Sequence, residues 1–187
     1  MRLFPVFRLS IANGWLLLIA DFLGLTLNVL TFPRDKRKKL FLEPSYPRGD
    51  WRRLVRLVGT VVAILYVVTM IFAPLRTGSA LLYVGLAIYL SGFALVMVSV
   101  VEYRGAPVDR PVTSGIYRVS RNPQWIGLVL VYLGAAIAVA SWLHLALLAV
   151  LVTAYHFQIL LEERICLQSY GEEFRTYMKQ VHRYVGF

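Results

Sequence analysis

The chain has 187 residues, enough for one domain of ordinary size and too few for two. It is 58% hydrophobic and only 16% charged, with a mean hydropathy of +0.64, whereas a soluble domain carries about 25% charged residues. A disordered chain, a collagen-like repeat and a disulfide scaffold are excluded, and the single cysteine, Cys166, rules out an intrachain disulfide or a cysteine metal cluster. A net charge of +10 raises nucleic acid as a partner. The basic residues lie between long apolar runs, however, which is the pattern of a membrane protein.

A membrane span needs about 20 mainly apolar residues. The first such run, 11–32, carries one charge, Asp21. It is too long for a signal-peptide core, and no small-x-small cleavage site follows it. The second covers 54–74 and the third 78–101. The stretch from Trp125 to Leu161 contains 37 residues without Lys, Arg, Asp or Glu. As one helix it would be about 55 Å long, nearly twice the bilayer core. It must fold back, and Ser141-Trp142-Leu143-His144 is the polar break near its middle. Two short spans, 125–141 and 143–161, are therefore expected. The predicted fold is an all-α integral membrane bundle of five transmembrane helices plus a cytoplasmic C-terminal helix, forming one transmembrane domain over 1–187.

Basic residues orient the bundle. Segments 33–56, 102–124 and 162–187 hold seventeen of the twenty Lys and Arg, leaving Arg2, Arg8 and Arg76 on the other side. Five spans then place the N-terminus outside and the C-terminus in the cytoplasm. The positive charge is thereby explained without nucleic acid. Segment 34–56, with Lys36-Arg37-Lys38-Lys39 and Trp51-Arg52-Arg53, suits contact with anionic lipid. It reads either as recruitment of a lipid substrate or as a plain topology signal.

Polar residues converge on the cytoplasmic side. Loop 102–124 ends in Gly115-Ile116-Tyr117-Arg118-Val119-Ser120-Arg121-Asn122-Pro123, where Pro123 suits a first helical turn and Asn122 an N-cap. The helix start favours an anion, which Arg118 and Arg121 would reinforce. The same arginines also suit lipid headgroups. In the last span His156 and Glu163 are seven residues apart on one helix face, about 10 Å along the axis. Glu162 and Glu163 sit where the helix leaves the membrane. Adjacent carboxylates against a positive loop suit a ligand bearing both charge signs, or a solvated helix end with routine ion pairs.

Two segments together carry a family pattern. Gly115-Ile116-Tyr117-x3-Arg121-Asn122-Pro123-x-Trp125, then Glu162-Glu163, Tyr170-Gly171-x2-Phe174-x2-Tyr177 and a terminal Arg183, resemble the isoprenylcysteine carboxyl methyltransferase and phospholipid methyltransferase superfamily. The resemblance spans 112–184, the expected cofactor-binding core. The chain departs from the family pattern at Ile116 (Pro), Asn122 (His), Trp125 (Tyr) and Tyr170 (Phe). Asn at this place also occurs in the sterol-reductase branch of the wider superfamily.

The resemblance implies S-adenosylmethionine held on the cytoplasmic side by Tyr117, Arg121, Asn122, Pro123, Glu162 and Glu163. The cofactor has a carboxylate for Arg121 or the helix start, and positive groups for the glutamates. The chain has no Gly-x-Gly, the usual mark of soluble methyltransferases. The methyl acceptor would be lipophilic: a prenylcysteine-like carboxylate, a lipid amine or a small thiol. An NADPH-dependent membrane reductase is the alternative. Methyl transfer needs no protein nucleophile, so the candidate catalytic residues are those that position or deprotonate the acceptor: His156, Glu163 and Arg183, with His182 a further candidate base. A structural histidine is the alternative for His156. The three histidines form no metal motif.

Two features inside the membrane complete the reading. Asp21 is an intramembrane acid, either functional or hydrogen-bonded to another span. Gly78, Gly85, Gly92 and Ser99 recur every seven residues, as do Gly127, Gly134 and Ser141. Each set forms a narrow stripe of small residues, so the third and fourth spans are expected to pack along them. Gly24 is expected to lie off that contact.

Overall fold

The computed structural model describes residues 1, 3, 7–8, 10–33, 50–107 and 109–186. Most of the basic segment assigned to anionic lipid, 34–49, lies outside the described residues. Among the described residues five α-helices follow in chain order: α1 (Trp15–Leu30), α2 (Asp50–Phe72), α3 (Ala80–Gly105), α4 (Pro123–Ala138) and α5 (Trp142–Gln180). A 3-10 turn, Gly115–Arg118, lies in the loop before α4. No strand occurs among the described residues; Asn13 and Pro74 make one isolated bridge. The fold is the expected all-helical membrane bundle.

Among the described residues three helices are long and apolar enough to cross a membrane: α2 from Arg53, α3 and α5. The other two, α1 and α4, are apolar but have 16 residues each, about 24 Å of helix against a hydrocarbon core of about 30 Å. The shortness of α4 has a local cause. Ala140 takes a positive φ of 52°, and Ser141 caps α5 through His144 N–H. The chain therefore reverses at 139–141, at the polar break. His144 is fully buried there, its Nδ1 2.9 Å from Ser141 Oγ and its Nε2 3.2 Å from Thr69 Oγ1.

At 39 residues, α5 is about 58 Å long and must leave the bilayer. Its uncharged part ends at Leu161, and the remainder extends past the membrane surface. Gly171, at φ +54°, kinks it there and directs 172–180 back toward the loop before α4.

The tightest seam joins α3 and α4. A Cβ on Gly92 would come within 2.6 Å of Val131 N and 2.7 Å of Gly127 O, and one on Gly85 within 2.6 Å of Gly134 O. Only hydrogen fits, and Gly85 and Gly92 of one predicted stripe face Gly134 and Gly127 of the other, whereas Gly78 precedes α3, where a Cβ would meet nothing within 4 Å, and Ser141 caps α5. Lipid gives helices no hydrophobic reason to associate, so close backbone approach does it instead. Gly24 lies off that seam, as expected, but is not in open space. Its Cβ would meet the Phe93 ring at 2.6 Å, because α1 packs across the outer face of α3 at that level. Asp21 is satisfied within the bundle: the Tyr89 hydroxyl of α3 donates to its Oδ1 at 2.8 Å.

Candidate functional site

The site forms where three segments meet at the end of the α3–α4 seam: the loop before α4, the part of α5 beyond the membrane, and the tail after α5. The 3-10 turn seats the loop. Tyr117 is buried and its hydroxyl reaches Ser99 O at 3.4 Å, while Tyr177 of α5 donates to Tyr117 O at 2.6 Å. The loop is thus clamped between α3 and the kinked end of α5.

Glu163 is the centre of a charged knot. Its side chain is 8% exposed, as is that of Arg121. Arg121 donates through Nε and Nη2 to Oε1, both at 3.1 Å, and Asn122 Nδ2 donates to the same oxygen at 3.3 Å. Arg183 donates through Nε and Nη2 to Oε2 at 3.0 and 2.8 Å. That fork raises the Arg183 pKa above its usual value. The two cations of opposite chain segments share one buried anion, which is the geometry in which charged hydrogen bonds are strongest.

The tail becomes a strap across the cleft. Arg121 N–H donates to His182 O at 3.0 Å, and Ser120 Oγ and Asn122 Nδ2 donate to Arg183 O at 2.9 and 3.3 Å. Arg121 Nη1 also reaches Met178 O and Val181 O at 2.8 and 3.1 Å. Asn122 does not cap α4 through its side chain as expected. Its amide is drawn to the strap and Glu163, and the neighbouring Ser120 Oγ accepts from Asn122 N–H instead, at 3.1 Å.

Glu162, one residue earlier, has a different setting. It accepts from Trp125 Nε1 at 3.2 Å and Gln158 Nε2 at 3.3 Å, two neutral donors. Burial raises its pKa, and those two bonds lower it in part. It lines a cavity of about 220 Å³ bounded by Tyr103, Tyr117, Trp125, Tyr170 and Phe174. Cys166 also faces it, its thiol pushed up to about 11 by burial.

The predicted residues divide between places. Tyr117, Arg121, Asn122, Pro123, Glu162 and Glu163 all line the cavity. Arg183 reaches it through Glu163. His156 does not line it; its Nδ1 lies 2.9 Å from the Tyr184 hydroxyl in a separate apolar groove. His182 is exposed and contributes its backbone carbonyl. Sequence reasoning missed Ser120, Gln158 and Tyr103. Ser120, a polar residue next to Arg121 inside the motif, was the one with a readable signal.

Apolar helices long enough to cross a membrane, with a charged, aromatic cleft at one end of the bundle, define an integral membrane protein. Residues 100–173 match the family model of phospholipid methyltransferase, a family of membrane methyltransferases within the superfamily that the motifs resemble. The match covers the end of α3, the loop, α4 and α5 as far as the kink, and stops short of Phe174, Tyr177 and the strap. No curated protein matches the chain.

Proposed function

We propose that the protein transfers a methyl group from S-adenosylmethionine to a lipophilic acceptor at the cytoplasmic face of the membrane. The observation that supports this best is Glu162, a half-buried carboxylate on the wall of an aromatic cavity, to which only neutral donors bond among the described residues. Such an anion suits a cationic ligand, and aromatic faces around it add cation–π attraction. When bound, S-adenosylmethionine supplies an activated methyl group on a sulfonium.

Glu162 then holds the positive end of the cofactor. Arg121 is spent on Glu163 and on the carbonyls of Met178 and Val181, so the carboxylate end falls to the first-turn N–H groups of α4, which follow Pro123 and border the cavity. Tyr117 and Pro123 shape its wall. Arg121, Asn122, Glu163 and Arg183 fix loop, helix and strap relative to one another. Catalysis is positioning together with exclusion of water. A carboxylate or thiolate acceptor needs no base, whereas a lipid amine does.

Calorimetric titration of the purified protein with S-adenosylmethionine, and separately with NADPH, tests the reading. Saturable binding of the first, with label passing from methyl-labelled cofactor into a lipid extract, is expected. Binding of NADPH alone would overturn it in favour of a reductase. For orientation, Arg76→Cys and Lys179→Cys in a Cys166→Ser background should differ in intact cells. An impermeant thiol reagent should reach position 76 from outside and not position 179; labelling of 179 would invert the arrangement.

A further inference from the structure

The knot and the cavity leave His156 and Tyr184 without a role. Both stand in a second hollow, an almost wholly apolar groove of about 640 Å³ between α4 and α5, walled by Ile126, Val129, Leu130, Val152 and Phe157. His156 lies five residues inside the end of the charge-free part of α5. A polar ring at that depth is costly unless it is used. Its Nδ1 meets the Tyr184 hydroxyl, and its Nε2 has no hydrogen-bond partner among the described residues.

The groove and the cofactor cavity share a wall. Trp125 lines both, its ring 4.8 Å from Tyr155 on the groove side and its N–H on Glu162 on the cavity side. The strap also touches both: Arg183 grips Glu163, and the next residue, Tyr184, grips His156. Bulk lipid would need no polar pair in such a groove. Moving an alkyl chain from bilayer to groove also gains little, since lipid tails are as apolar as the lining. Alignment and the polar head must therefore decide what binds.

We propose that this groove seats the aliphatic chain of the methyl acceptor, and that His156, held by Tyr184, is a positioning residue that hydrogen-bonds the acceptor's polar head at the Trp125 edge of the cavity. The proposal rests on the methyltransferase reading. It applies to any acceptor with a compact polar head on a long chain, whether an amine-headed phospholipid or a prenylated thioether carboxylate.

The test uses the full chain in phosphatidylcholine nanodiscs carrying a phosphatidylethanolamine with a photoactivatable acyl chain. Label should concentrate on 152–159 and Val185. Unlabelled phosphatidylethanolamine or N-acetyl-S-farnesylcysteine should displace it, and the groove-filling variant Val129→Trp should lose it with S-adenosylmethionine affinity unchanged. For whichever of these two compounds accepts labelled methyl, His156→Phe should raise the KM about tenfold, the loss of one hydrogen bond, with kcat and cofactor affinity held. His156→Gln should restore it. Label spread evenly over the exposed faces of α1 and α2 would mean annular lipid only and overturn the proposal, as would Val129→Trp without effect. Concentrated label without cofactor binding would instead defeat the methyltransferase reading.

Discussion

The seam between α3 and α4 and the knot around Glu163 both hold the same loop, one at its base and one at its tip, by opposite means. In the seam, glycines bring backbone against backbone with no side chain between them. In the knot, two guanidiniums and an amide converge on one carboxylate. The difference follows from the solvent. Within lipid, burying apolar surface gains nothing, so contact must come from close fit. At the surface water competes for every charge, and a carboxylate stays in place only when several donors surround it and water is kept out. The seam is therefore intolerant of size, and the knot is intolerant of lost charge.

Breaking the knot should cost most. Glu163→Gln leaves two guanidiniums facing a neutral amide, and removing one partner of a buried ion pair costs about 3–5 kcal/mol. Thermal unfolding in nanodiscs should show it, and an unchanged Tm would mean that the knot supports nothing. The seam should yield less. Gly92→Leu or Gly134→Leu forces the backbones apart at about 1–3 kcal/mol. Gly105→Leu, where a Cβ would meet nothing within 4 Å, is the control; equal stability of all three would show that the close approach is unimportant. Gly24 cannot serve as that control, because Phe93 covers it.

The smallest structural effect should accompany Glu162→Gln, which separates a ligand-facing carboxylate from the structural one beside it. Melting should move little, while S-adenosylmethionine binding weakens by about 1.5–3 kcal/mol, the scale of a charged hydrogen bond. The sign of the pH dependence follows from the raised pKa of Glu162. Cofactor binding needs the ionised form, so affinity should be full above that pKa and fall as pH drops through it, at a higher pH than an ordinary glutamate would give. Glu162→Gln should remove the dependence. A wild-type affinity that is flat on acidification would sink this role for Glu162.

Much of this molecule was legible before any coordinates, and the reasons are one-dimensional. Thirty-seven uncharged residues cannot cross a bilayer once, so a reversal near Ser141 followed from length alone. A seven-residue spacing of glycines defines a helix face whatever that face meets. The motif around Arg121-Asn122-Pro123 and Glu162-Glu163 named the cavity residues. What tertiary structure decided is direction. Neighbouring residues on a helix point about 100° apart, so nothing in the pair Glu162-Glu163 says that the second is enclosed by arginines and the first faces the cavity. Likewise, seven residues on one face did not bring His156 and Glu163 to one site. Trp125 stands between the groove and the cavity, and the strap divides its two side chains between them. Asn122 had the right identity for a cap and a stronger claim from the strap. Periodicity and length are properties of the chain; which of two adjacent side chains meets a charge depends on segments that return from 42 residues before it and 20 after it.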